Sequence, residues 1–542
     1  MKFQIFILFI IVSFPVFTQN FYYDDISSLE YQYLEQGMGL PFKSFPYTAN
    51  EFQSYLDRID PASLSKTGKI FNDLTGERLK KDYIYSEPEG FKFDTGIDVI
   101  LEGFYHKNLT NNFDFSVQDY IWQYGFEERH PLFEIPLEAD ILDILYVKTV
   151  ISAKEEHMTV NSPTEATASE NNSNVFDFDS PAVDIHVPYE AIASLEGEHW
   201  TIQLGRDNLS WGNGQTGNLV LSDYSDFYDY LMVNTWWHNF KFSTVYIVMD
   251  EYSPRDDREG DYEDGVTGSD GIPDNIGYQA FIGHRFDLRF FKRLNFAFVE
   301  AVTYMGEPFL IHDLNSLMAY HNWTIPEKAN SLMCFELEYI PWKYFYLYGQ
   351  LAMDEAATKY EEEGDGGGGQ STWAWLAGLK GAYPLGPGYI HGDFEFVHTD
   401  PYLYHRRRPP YFYNVRKIWS VVTDSEEYII KPIGHETGPD AELWHVEVGY
   451  DWSDLLRANL SYDYLVQGET TIDTYYDRLV RLEYPVGIVE TVSVIHLGLE
   501  SHLFKFFSAG LDFYYIHTSN FSHVEGQTSE DLEIAGFIKF SL

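Results

Sequence analysis

The segment Gly205–Asp223, GRDNLSWGNGQTGNLVLSD, combines one arginine, one tryptophan and four glycines within nineteen residues. A guanidinium can donate to sugar hydroxyls and an indole can stack on a sugar ring face, so Arg206 and Trp211 are candidate ligand-binding residues. They also fit a structural reading, in which Arg206 pairs with lumenal carboxylates and Trp211 packs a bent loop after a strand at Trp200–Leu204. Glycines at this density first solve backbone problems, which favours the structural reading. The segment is not a phosphate loop, because no Lys-Ser/Thr and no helix pattern follow the glycines.

Two further clusters could do chemistry. Tyr404-His405-Arg406-Arg407-Arg408-Pro409-Pro410-Tyr411 is the only dense basic run, and aromatics flank it. Arg406, Arg407, Arg408 and Tyr411 could clamp an anionic glycan or a lipopolysaccharide phosphate. Neutralisation of neighbouring acids is the equally open alternative. In a loop that also holds Asp261 and Glu263, the carboxylates of Asp264, Asp270 and Asp274 offer hard oxygen ligands around glycine turns, which suits Ca²⁺. The run Ser269–Asn275 resembles part of a calcium-binding thrombospondin-type repeat, but the full DxDxDG spacing is missing and a solvated acidic loop is the favoured reading. No GxSxG elbow, HExxH or Walker sequence is present, and the 18 histidines are scattered, His435 among them. The chain is therefore expected not to be an enzyme and to need no cofactor beyond that Ca²⁺ candidate.

Composition limits the partners. The 542 residues carry 36 Lys+Arg against 84 Asp+Glu, a net charge of −48 that repels phosphate backbones and excludes nucleic acid. Trp, Tyr and Phe number 12, 42 and 41, yet hydrophobic content is 44% and mean hydropathy is −0.29, too polar for a helical membrane bundle. A single cysteine, Cys334, rules out a disulfide framework.

Residues 1–19 read as a secretory signal: Lys2 precedes an apolar core at Ile5–Val12 that is too short to span a bilayer. Cleavage is expected near Val16–Thr18, and without a nearby cysteine no lipoprotein anchor is expected. Beyond it no run of eighteen apolar residues occurs. An exported chain lacking such a run enters a membrane only as a closed barrel, since every backbone group must be satisfied inside hydrocarbon.

The elements that position these residues divide at residue 90. Residues 20–90 have apolar positions at helical spacing, broken by Gly37, Gly39 and Pro41, and Thr48 to Ile59 predicts a capped amphipathic helix. This part has too little core to stand alone and should dock on the remainder. From Phe91 the period becomes two. Trp444, Val446, Val448, Tyr450 and Trp452 alternate with His445, Glu447, Gly449 and Asp451; a turn follows at Ser453–Leu456 and the alternation resumes to Val466. Tight turns recur near Phe291–Arg293, Ile340–Lys343, Pro384–Gly388 and Leu503–Lys505, with long polar segments between them at 251–276, 355–370, 402–417 and 519–530. Short turn alternating with long loop, strands of ten or more residues and a final alternating strand ending at Leu542 point to an outer-membrane barrel rather than a soluble sandwich. The expected fold is all-β: a transmembrane antiparallel barrel of about 18 strands over 91–542, with a small N-terminal periplasmic α-helical segment at 20–90.

The GR…SWG.G…L.LSD pattern at Gly205–Asp223, the run Leu347–Glu355 around Tyr348-Gly349-Gln350, and Gly434-His435-Glu436-Thr437-Gly438-Pro439-Asp440 resemble signature islands of the Wzi-like family of capsule-assembly outer-membrane proteins. The resemblance implies an eighteen-stranded barrel with periplasmic helices that acts as a non-enzymatic surface lectin in the cell outer membrane. Its partners would be a surface (capsular or exo-) polysaccharide, outer-membrane lipid and the barrel-insertion machinery. A charge of −48 departs from what an acidic capsule would require, so a neutral or zwitterionic glycan fits better. The alternative from another class is a passive porin or uptake channel, with Tyr344, Tyr346, Tyr348, Gln350, Asp354, Glu447 and Asp451 lining a wet lumen; an outer-membrane enzyme ranks third.

Overall fold

A computed structural model describes residues 20–21, 23–80, 83–110, 123–125, 128–155, 171–173, 183–186, 190–225, 227–249, 279–305, 315, 329–355, 370–405, 414–422, 425–453, 455–472, 474, 480–504 and 506–542. Residues 1–19, and with them the signal reading, lie outside this set.

The two-residue period becomes a closed wall. Its strands are β1 Asp98–Asn108, β2 Phe133–Ile141, β3 Leu145–Glu155, β4 Ala191–Gly197, β5 Trp200–Asp207, β6 Tyr228–Trp236, β7 Phe240–Met249, β8 Gln279–Phe290 and β9 Leu294–Met305. They continue as β10 Ala329–Trp342, β11 Phe345–Glu355, β12 Thr372–Leu385, β13 Gly388–Thr399, β14 Ala441–Trp452, β15 Leu456–Gln467, β16 Glu490–Phe504, β17 Phe507–Ser519 and β18 Thr528–Ser541. Spatial order follows the chain, every neighbour is antiparallel, and β18 closes on β1 from Asp531↔Asn108 to Ser541↔Asp98. The closure leaves no open edge, as a sheet in hydrocarbon requires. The seam between β1 and β2 is paired only at Asp98–Val99; short strands at Phe91–Thr95 and Asn171–Ser173 complete it.

The register sorts side chains as the alternation predicts. On β14, Trp444, Val446, Val448 and Trp452 face out and are exposed, while Leu443, His445, Glu447 and Asp451 face the bore. Eight turns of two or three residues join the strands at one end, as at Phe291–Arg293, where Phe291 and Lys292 take the positive φ of a primed hairpin. The opposite end carries the long connections, so the barrel has the predicted asymmetry.

Three helices, α1 Tyr23–Glu35, α2 Ala49–Leu56 and α3 Lys66–Arg78, sit within the bore at the short-turn end. Helices of 13, 8 and 13 residues are marginal alone, so burial must hold them. Leu29, Tyr33, Phe42, Phe52, Tyr55 and Ile59 pack with Trp236 of the wall, each worth about 1.5–3 kcal/mol when fully buried. Hydrogen bonds stitch this plug to the turns: Tyr344 N–H donates to the Leu34 carbonyl (2.8 Å), Gly39 N–H to that of Lys292 (3.0 Å), and the Thr67 hydroxyl to that of Gly386 (2.9 Å). The predicted cap at Thr48 differs in detail. Thr48 makes no side-chain cap bond, and Glu51 turns instead to Lys241 of the wall, 2.6 Å away and fully buried.

Candidate functional site

The three islands singled out in the sequence meet inside the barrel. The chain leaves β5 at Asp207 and dips into the bore before returning as β6. Ser210 and Trp211 pair there with Phe45 and Ser44 of the plug. Above them, Gln350 of β11 accepts the Leu219 N–H at 2.9 Å and donates to Asn218 Oδ1 at 2.6 Å. Gly212 adopts φ 140°, and a Cβ there would lie 2.1 Å from Asn218 Oδ1 and 2.2 Å from Gln350 Nε2, so only glycine fits under this clasp. Glu395 of β13 accepts from the Gln215 and Thr216 amides (2.8 and 2.9 Å), the Thr216 hydroxyl and the Tyr348 hydroxyl.

His435 completes the lock. Thr437 N–H donates to its Nδ1 (3.3 Å), so the proton sits on Nε2, which lies 3.1 Å from Thr216 Oγ1, itself the donor to Glu395. Burial pushes the imidazole down to about 3, which keeps it neutral in this network. Tyr404 extends the lock outward: its hydroxyl donates to the Leu219 carbonyl (2.8 Å) and accepts the His435 N–H (3.0 Å).

Beneath the loop lies a buried charge cluster. Lys43 Nζ is 2.5 Å from Glu30 and 2.9 Å from Glu338, and Lys380 Nζ is 3.1 Å from Glu30. Burial would raise the Glu30 carboxyl, but Lys380 and Lys43 outweigh it and hold it at about 2. Conversely, burial works against the charge on Lys43, while Glu30 and Glu338 carry its pKa well above the usual lysine range. Cations from wall and plug thus clasp carboxylates across the boundary between them.

At the long-connection end the wall carries a half-exposed polar and aromatic rim. His398 lies 3.2 Å from both Asp400 and Glu442, and the Tyr484 ring meets its imidazole edge-on at 4.8 Å and 78°. Asp400 also accepts the Trp373 N–H (2.8 Å). Asp440 fastens the overlying segment through the amides of Gly468 (2.8 Å), Thr470 (3.2 Å) and Val486 (3.2 Å), and Gln370 bonds both main-chain groups of Leu482. Such a set of acceptors beside an aromatic ring can bind hydroxyl groups. It holds no nucleophile paired with a base.

A second lumenal surface stays wet. Along β14–β18 and β1 many inward residues are only partly covered, among them Glu447, Asn459, Asp463 and Asp512. Histidines pair with carboxylates across this wall: His445 with Asp463 (2.5 Å) and Asp393 (3.2 Å), His496 with Asp512 (2.9 Å), His130 with Glu102 (2.7 Å). A cavity of about 360 Å³ opens at its short-turn end, lined by His130, Glu134, Glu500, His502 and Lys539.

The candidate ligand residues are placed apart. Arg206 does pair with a carboxylate, but not a lumenal one: strand parity puts it on the outer face of β5, bonded twice to Asp229 (2.8 and 2.7 Å) and stacked on Phe227 at 4.1 Å. Trp211 is 1% exposed, and its ring lies against the backbone of Gly283, so no sugar reaches it unless the loop opens. Arg406, Arg407, Arg408 and Tyr411, and Asp264, Asp270 and Asp274, lie outside the described residues. Of the proposed wet lining, Tyr346 is buried against Lys43 of the plug and Tyr348 and Gln350 are buried in the network of the Gly205–Asp223 loop, whereas Glu447 and Asp451 remain partly covered. Nothing in the residue types or spacing of His398, Asp400, Glu442 and Tyr484 joins them in the sequence. The register of β13 on β14, His398↔Glu442, is the signal that joins the first three.

A closed antiparallel barrel of eighteen strands, tight-turned at one end and long-looped at the other, is the architecture of bacterial outer-membrane barrels, whose short turns face the periplasm. Among solved structures the chain is similar to Wzi of Escherichia coli, an outer membrane protein involved in group 1 capsule assembly and a carbohydrate-binding β-barrel. The TM-score is 0.58 at 13% identity, over 97% of this chain and 98% of that one. A looser likeness is to OprD of Pseudomonas aeruginosa, with a TM-score of 0.39 and 10% identity over 85% and 99%. No family model matches the chain, and no curated protein does. At 13% identity the likeness shows the fold alone.

Proposed function

We propose that the protein is an outer-membrane barrel of the Wzi-like type that binds or anchors a surface polysaccharide without chemical turnover. The observation that carries this is the rim of His398, Asp400, Glu442 and Tyr484, standing at the external end of a barrel whose bore is filled on one side by the plug and the Gly205–Asp223 loop. Acceptor-rich side chains beside an aromatic ring suit sugar hydroxyls. Their negative charge disfavours an acidic polymer and favours a neutral or zwitterionic one. The carbohydrate binding stated for Wzi, the solved barrel of similar fold, supports the same reading.

Deletion of the gene should release surface polysaccharide into the medium, and restoring the wild type should retain it. Unchanged retention in the deletion strain would remove the anchoring role while leaving the barrel in place. The wet wall of Glu447, Asn459, Asp463 and Asp512 supports a second reading, a narrow conduit for small hydrated cations. Single-channel recordings in planar bilayers separate the two, because an anchoring barrel with its plug seated stays silent and a conduit gives discrete cation-selective steps.

A further inference from the structure

The short-turn end contrasts with the acidity of the chain. The turns after β8 and β10 bring Lys292, Arg293 and Lys343 together around Gly37: a Cβ on Gly37 would lie 3.1 Å from Lys343 Cγ and 3.6 Å from Arg293 Nη2. Arg58 joins them, donating to the His238 carbonyl at 2.9 Å. The His238 imidazole is held below its usual range by burial and then by the charges of Arg58, Arg289 and Lys292, so the surrounding potential is positive. Lys292, Arg293 and Lys343 are exposed, and among the described residues none of the three forms an ion pair. Asp57 and Asp60 of the plug are exposed beside this rim, and Asp73 and Glu77 of α3 and Glu198 of the turn before β5 are exposed further round the same end. In a chain with 84 acids and 36 bases, four cations gathered at one stretch of the rim are a local exception.

The same turns present apolar rings to the surroundings. Phe291 is 92% exposed, Trp342 69% and Trp237 49%, all at the level where barrel aromatics meet lipid headgroups. Cations next to lipid-facing rings match the two parts of an anionic phospholipid. We propose that the rim of Lys292, Arg293, Lys343 and Arg58 binds the phosphate headgroup of an anionic phospholipid in the periplasmic leaflet, with its acyl chains against Phe291 and Trp342. The lipid would also brace the plug, because the Lys292 carbonyl accepts the Gly39 amide and the Tyr344 amide donates to Leu34. This inference rests on the barrel and is independent of the glycan reading.

The test is native mass spectrometry of the full-length barrel equilibrated with equimolar phosphatidylglycerol and phosphatidylcholine, with folding checked by heat-modifiable gel mobility. The wild type should retain phosphatidylglycerol in preference. Each removed charge is expected to cut that preference about five-fold, so Lys343→Gln loses about five-fold and the triple variant Lys292→Gln/Arg293→Gln/Lys343→Gln roughly a hundred-fold. Lys107→Gln, a control on an exposed cation near the opposite end, should change nothing. Equal preference in wild type and Lys343→Gln, or an equal loss in Lys107→Gln, would overturn the proposal. Inorganic phosphate should release no more lipid than chloride at matched ionic strength; selective release by phosphate would reassign the site to a soluble anion.

Discussion

Gln350 holds Leu219 across 131 residues of sequence: the Leu219 amide donates to its side-chain oxygen at 2.9 Å, with both groups buried. Through this bond a wall strand fixes the loop that dips into the bore. Gln350→Ala would leave the Leu219 amide buried without a partner, a cost of about 1–3 kcal/mol. Hydrogen exchange at residues 212–222 should accelerate roughly ten-fold or more, while the amides of β14 and β15 keep their protection.

Lys43 sits between Glu30 and Glu338, and Lys43→Met would leave Glu338 without its cation in a buried site. Breaking a buried pair costs about 3–5 kcal/mol, enough to unseat the plug without opening the wall. The expected result is a lower melting temperature for the helical part and new current in planar bilayers, read beside the silent wild type.

The same cluster fixes an acid limit. Glu30 falls from an ordinary 4.5 to about 2 in the folded protein, so the stability it contributes is complete above pH 4.5 and is lost as pH falls toward 2. Limited proteolysis of residues 20–80 should be flat from about pH 5 to 8 and rise only below 4.5.

His435 acts in a higher window. Its value of about 3 when buried, against 6.5 when free, means that the open loop takes up a proton first. Closure is therefore complete above pH 6.5 and weakens by up to roughly ten-fold per unit between 6.5 and 3. Amide exchange at residues 433–438, corrected for intrinsic rates, should show this slope in the wild type and lose it in His435→Gln.

Much of the wall was legible because the alternation at Leu443–Trp452 has one solution: rings outward, ions inward, with Glu442 outward only at the strand end. The turn at Phe291–Arg293 was legible for the same reason. The convergence of Gly205–Asp223, Gln350 and His435 was not readable from spacing, since they lie on separate segments that only barrel closure brings together. Trp211 follows the structural reading that the glycine density favours: the loop folds inward and the indole packs it, covered, instead of standing open to a sugar. The rim of His398, Asp400 and Glu442 required the register of β13 on β14, and Tyr484 reaches it from a connection with no periodic signal.

The most direct measurement is equilibrium binding of the producing strain's purified surface polysaccharide to the barrel in nanodiscs, wild type against Glu442→Gln/Tyr484→Ala. The account predicts saturable binding by the wild type and at least a ten-fold weaker affinity for the variant, as expected when two hot-spot contacts are removed, with gel mobility unchanged. No binding by the wild type, together with cation current through the intact barrel, would contradict it.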